Sequence, residues 1–128
     1  MRALPLEHQV SSFKSSKELR DLGVKRETLY SYNGNGRLML ESYFIEFSGE
    51  RWATAHTASD IFQELPDVIE KDGEKYVLLI AKPMNEPQVR YQHSKDGSVK
   101  VIKKTGETLA EACAEMWIHL LKEGIVNP

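Results

Sequence analysis

The sequence predicts a single α+β domain in which an antiparallel sheet of five to seven strands carries a C-terminal amphipathic helix and two shorter helices. Three observations lead there. Residues 108–124 hold apolar side chains at Leu109, Ala112, Cys113, Met116, Trp117, Leu120 and Leu121, the i, i+3, i+4, i+7 spacing that gathers them into one helical stripe. The stretch before it contains several β-prone runs joined by short turn-forming tracts, as hairpins are. No long helical crossover separates those runs, so antiparallel pairing is the economical topology.

Taken in order, residues 1–11 show no periodicity, contain Pro5, and read as an N-terminal arm to a domain spanning 12–128. Ser15 with Glu18 three residues on has the spacing of a helix cap, and Leu19, Leu22 and Gly23 fit a short helix with a glycine stop. Residues 27–32 favour strand, Asn33-Gly34-Asn35-Gly36 tolerates the positive φ of a hairpin turn, and 37–47 reads as the returning strand. A third strand is expected over 52–56. Thr57 and Asp60 resemble a second capping pair, before Ala58, Ile61, Phe62 and Leu65 at helical spacing and Pro66, which forbids continuation.

Residues 75–82 include the densest β-type run, Tyr76-Val77-Leu78-Leu79-Ile80, whose continuous apolarity predicts a central strand covered on both faces. Residues 89–93 and 98–104 form the arms of a last hairpin. Val99 and Val101 alternate there with Ser98 and Lys100, the pattern of a strand with one wet face. In the final helix, Thr108 and Glu111 are spaced for a reciprocal capping box, and Gly124 for a left-handed stop that folds Ile125 back onto Leu120. The expected core is Leu109, Met116, Trp117, Leu120, Leu121, Leu78, Ile80, Phe62 and Ile61.

With 128 residues, 41% apolar and 28% charged, the chain suits one hydrophobic core. A formal net charge of −2 carries no global signature of a nucleic-acid or membrane-surface binder. Cys113 is the single cysteine and lies on the helical stripe, where a small buried thiol is expected. No apolar run has the length of a signal peptide's core or of a membrane span, and a cytoplasmic protein is the expectation.

No cofactor is implied, and no metal site: His8, His56, His93 and His119 are too widely spaced from one another and from Cys113 to make a ligand cluster. His56, Ser59 and Asp60 include hydrolase residue types but sit around a helix start, where such residues serve the backbone; a small hydrolase ranks third. The most suggestive local feature is the last hairpin. Residues 88–104 hold five basic side chains against Asp96, a local charge of +4, with Tyr91 and His93 among them. Arg90, Tyr91, His93, Lys95, Lys100 and Lys103 are therefore the candidate contacts for a partner or a single-stranded nucleic acid, since cations neutralise phosphates and rings stack bases. Lysines on an outer strand also keep sheet edges from joining, which competes with that reading. Tyr30, Tyr32, Tyr43 and Trp52 form an aromatic group that suits either a core or an interface.

Glu18-Leu19 to Leu22-Gly23-Val24-Lys25, then Ala58-Ser59-Asp60-Ile61 to Leu65-Pro66, then Thr108-Leu109-Ala110-Glu111-Ala112 to Leu120-Leu121-Lys122-Glu123-Gly124-Ile125, make a succession that resembles small phage and prophage proteins of unknown function in bacterial genomes. The resemblance implies a cytoplasmic α+β accessory protein and carries over no catalytic or binding motif. A non-enzymatic protein that acts by binding a protein partner, or its own copies, is the expected function. A single-strand nucleic-acid binder is the alternative.

Overall fold

The computed structural model describes residues 9–25, 30–32, 38–40, 53–81, 86–95 and 97–128. Its elements in chain order are α1 (Phe13–Asp21), β1 (Tyr30–Tyr32), β2 (Leu38–Leu40), β3 (Ala53–Ala55), α2 (Ala58–Phe62), β4 (Val68–Lys71), β5 (Glu74–Ala81), β6 (Gln88–Lys95), β7 (Ser98–Thr105) and α3 (Leu109–Lys122). The fold is α+β with antiparallel pairing between all adjacent strands. The strands do not make one sheet of five to seven. They divide into a four-stranded sheet of order β4-β5-β6-β7 and a three-stranded one of order β2-β1-β3. The reason is local: α2 begins at once after β3 and turns the chain away, so β3 never lies beside β4. The expected turn at 33–36, the strand beyond residue 40, His8, Tyr43 and Trp52 lie outside the described residues.

α3 is the helix around which the rest packs. Its start is fixed by Thr108, whose hydroxyl accepts the Glu111 N–H at 3.1 Å. Its end is a Schellman stop, with Gly124 at φ +71°, the Gly124 N–H donating to Leu121 O at 3.1 Å, and the Ile125 N–H donating to Leu120 O at 2.9 Å. Met116, Trp117, Leu120 and Cys113 are buried as the stripe predicts. Ala110, Ala114 and Ile118 are buried as well, so the covered arc is wider than the stripe. Two layers cause this: β6 and β7 lie against one side of α3, α1 and α2 against others.

Ile61 is fully buried, while Leu109, Leu121, Leu78 and Phe62 pack at the margin of the same core. Ile80 is a correction to the expected core: it is 51% exposed, at the end of β5 and off the two strands that α3 covers. The smaller core of Val10, Tyr32 and Ala55, with Phe13 and Leu38 at its edge, joins α1 to the three-stranded sheet. Tyr32 is buried, its hydroxyl donating to Ser11 O at 2.8 Å and its ring edge-on to Phe13, so it does not share a solvent face with Tyr30.

At α2 the capping box is complete: Thr57 Oγ1 accepts from Asp60 N at 3.1 Å, and Asp60 Oδ2 from Thr57 N at 3.0 Å. At α1 the cap is Ser12, not Ser15, and it accepts the Ser15 N–H at 3.1 Å. Ser15 is turned inward instead, where its hydroxyl donates to Glu111 of α3. Glu111 also accepts the Ser12 N–H at 2.8 Å, so the carboxylate expected to close α3's own capping box caps α1 from across the fold. The unpaired N–H groups and positive end of α1 explain why a carboxylate is favoured there. Between β4 and β5, Asp72 at φ +53° and Gly73 at φ +78° make the two-residue turn that matches strand twist.

Candidate partner-binding face

Strand parity decides what the four-stranded sheet presents. Tyr76, Val89 and Tyr91 are buried on the inner face, toward the helices, which assigns the alternate residues to the opposite face. Register then orders that outer face into rows. Val68, Val77, Gln92 and Val101 lie side by side across the four strands, and next to them Leu79, Arg90 and Lys103 make a second row. Val99 stands opposite Ser94 beyond them. Val68, Val77, Leu79, Val99 and Val101 are between 41 and 57% exposed. The central strand expected to be covered on both faces is thus covered on one. Continuous apolarity marked β5 correctly as an interior strand, but α3, α1 and α2 all serve the other side.

Val99 and Val101 correct the sequence reading in the same way. They alternate with polar residues as expected, yet the valines are the wet face and Ile102 points to the helices. The chain therefore spends β-branched residues on a surface, where they favour the strand but cover no core.

Within this aliphatic face sit two cations. Arg90 on β6 and Lys103 on β7 are direct cross-strand partners, a like-charge pair that repels. Arg90 is half-buried, and its Nε is enclosed with no hydrogen-bond partner. Neither side chain makes an ion pair with another described residue.

The six candidate contact residues of the hairpin do not form one surface. Arg90 and Lys103 face outward, whereas Tyr91, His93, Lys95 and Lys100 have inward parity. Tyr91 is fully buried and its hydroxyl donates to Pro66 O at 2.7 Å, which removes its ring from any ligand's reach; burial raises its pKa. Lys100 Nζ holds both carboxylate oxygens of Glu74, at 2.9 and 3.1 Å. That hydrogen-bonded ion pair pushes the Glu74 pKa down and the Lys100 pKa up. His93 donates from Nδ1 to Lys75 O at 2.8 Å, leaving Nε2 enclosed and 3.9 Å from Glu74. Among the described residues no hydroxyl or thiol reaches it. Lys95 closes the strand in solvent, its carbonyl accepting from Ser98 Oγ at 2.8 Å. β7 is an edge strand, so the lysines on it also sit where they discourage addition of another strand. The outward residues that sequence reasoning missed, Val77, Leu79 and Val101, share parity with Arg90 and Lys103, and counting in twos from the Lys95–Ser98 turn would have found them.

The hydrolase trio does not converge. Ser59 is exposed, Asp60 is committed to the Thr57 cap, and His56 is buried with its ring edge-on to Trp117 at 5.2 Å. Buried hydroxyls gather elsewhere, around Ser11. Its Oγ lies 2.7 Å from Ser16 Oγ and accepts the His56 N–H at 3.0 Å, while its N–H donates to His56 O at 2.7 Å. These bonds stitch the segment before α1 to the end of β3, as buried polar groups require. Ser15, between Glu111 and Glu115, is also enclosed. These hydroxyls hold helices and strands in place and are closed to a substrate.

Cys113 is buried, and that burial pushes its thiol pKa up to about 12, the opposite of an activated nucleophile. His119 on α3 has its pKa lowered by burial and by Lys104 and Lys71, with Glu123 opposing. Among the described residues, no three His, Cys, Asp or Glu side chains are grouped to hold a metal ion. None of the described helices is long and apolar enough to cross a membrane. No protein-family model, curated protein or solved structure matches the chain.

Proposed function

We propose that the protein is a non-enzymatic binding protein of the cytoplasm, an accessory factor of the phage or prophage kind, that docks a protein partner on the outer face of its four-stranded sheet. One observation carries this reading: five large aliphatic side chains stand exposed in adjacent rows on a face that none of the described helices covers. Exposed apolar surface of this kind is costly in water and marks interaction sites. The buried Ser11 network, the enclosed Ser15 and the unreactive Cys113 support a binding role over a catalytic one.

Nucleic-acid binding is the second reading, favoured by the Arg90–Lys103 pair. Among the described residues of this face none supplies a stacking ring, because Tyr91 is buried.

The test is site-directed photo-crosslinking in the native host from position 79 or 101, with the exposed Glu107, beyond the end of β7, as control. Any captured protein is then purified and titrated against the native chain and against Val77→Asp. Saturable binding lost in the variant supports the reading. Equal binding to both, or equal crosslinking from position 107, refutes it.

A further inference from the structure

We infer that the outer face is specific for an acidic segment of a protein partner, in which a carboxylate seats between Arg90 and Lys103 while neighbouring aliphatic side chains lie on Val77, Leu79 and Val101. This rests on the outer face being the docking surface and adds the chemistry of what docks there. A like-charge pair beside the apolar rows, at the β6–β7 side of the face, lacking a counter-ion among the described residues, has a deficit that an external carboxylate fills. A guanidinium fork matches a carboxylate in plane and spacing, and the half-buried Arg90 makes no ion pair with another described residue.

Charge complementarity also selects among occupants. A second copy of this face would bring Arg90 and Lys103 against a surface whose other charged residues are Lys75 and Glu70, and those two already stand opposite each other in register. A single-stranded nucleic acid supplies anions but needs stacking surfaces, and the tyrosines of these strands, Tyr76 and Tyr91, are buried on the other side. An acidic segment with interleaved aliphatic residues satisfies both the cations and the rows beside them.

The experiment is selection of short random peptides displayed against the immobilised native chain, followed by titration of the enriched peptides on the native chain, Arg90→Gln, Lys103→Gln and Val77→Asp. Thermal melts of each variant establish that it is folded, and a labelled single-stranded DNA oligonucleotide is titrated in parallel. The expected result is enrichment of peptides rich in Asp or Glu next to Val, Leu or Ile. Their affinity falls roughly tenfold or more in Arg90→Gln and in Val77→Asp, and weakens with salt. Enrichment of uncharged or basic peptides that need Val77 and ignore Arg90 would overturn the acidic specificity and leave the docking face standing. Peptides indifferent to both substitutions, or no enrichment, would overturn the docking face as well. Oligonucleotide binding that depends on Arg90, without acidic-peptide binding, would transfer the site to nucleic acid.

Discussion

Removing the carboxylate of Glu111 tests whether one side chain of α3 holds the start of α1, ninety-six residues earlier in the chain than Glu111 at the Ser15 contact. Glu111 accepts two hydrogen bonds there, from the Ser12 N–H at 2.8 Å and from the Ser15 hydroxyl. Hydrogen bonds to a charged group contribute about 1.5–3 kcal/mol each, and a negative charge at a partly buried helix N-terminus adds up to about 2 kcal/mol. These contributions overlap, so Glu111→Ala should cost about 2–4 kcal/mol and Ser15→Ala about 1–2 kcal/mol. The double variant should cost less than the sum by about 1 kcal/mol, because each single change already breaks the shared bond. Glu115 accepts from Ser15 Oγ at 3.2 Å and tempers the coupling without abolishing it. Urea denaturation of the four proteins, with unchanged slopes, measures these terms directly. A Glu111 that merely closed its own helix's capping box would cost only ~1 kcal/mol and show no coupling to Ser15. Additive costs for the pair would refute the interhelical cap.

Other consequences are independent of that pair. Trp117→Ala removes the largest fully buried side chain among the described residues and should cost about 3–5 kcal/mol, read as a lower urea midpoint or outright unfolding; a change near zero would mean that α3 is not packed. His119 should titrate by NMR below its ordinary 6.5, since burial and Lys104 disfavour its cation. Because the folded value is the lower one, its contribution to stability is complete above 6.5 and is lost as pH falls through the folded midpoint, and His119→Asn should remove that part of the acid sensitivity. Cys113 should resist thiol reagents in the native protein at neutral pH and react fast in urea; rapid native labelling would contradict its burial.

Much of the local structure was legible because local chemistry specifies it. Thr57 with Asp60, Thr108 before an apolar stripe, and Gly124 followed by Ile125 are each decided by neighbours a few residues apart, and each forms as read. The Glu111 cap was not legible, since a Thr–x–x–Glu spacing says that a carboxylate is available and not which of two helix starts claims it. At α1 the spacing of Ser15 and Glu18 pointed to Ser15 as the cap, whereas Ser12 takes that place and Ser15 is buried against α3.

The sheet's bare face was hidden for a different reason. Apolarity along Tyr76-Val77-Leu78-Leu79-Ile80 reports strand propensity and burial together, and only the placement of α1, α2 and α3 on one side separates them. The candidate contacts do not share one face, because alternation along β6 sends Arg90 outward and Tyr91 inward. A list drawn from consecutive residues of a strand mixes two faces by construction.

The central claim is that the four-stranded sheet hides one face under α3 and leaves aliphatic side chains of the other in water. Methyl NMR with a soluble paramagnetic probe measures this residue by residue. The methyls of Val68, Val77, Leu79, Val99 and Val101 should broaden strongly, while those of Ile61, Met116 and Leu120 should stay sharp. Equal protection of both sets would contradict the open face and, with it, the binding role built on it.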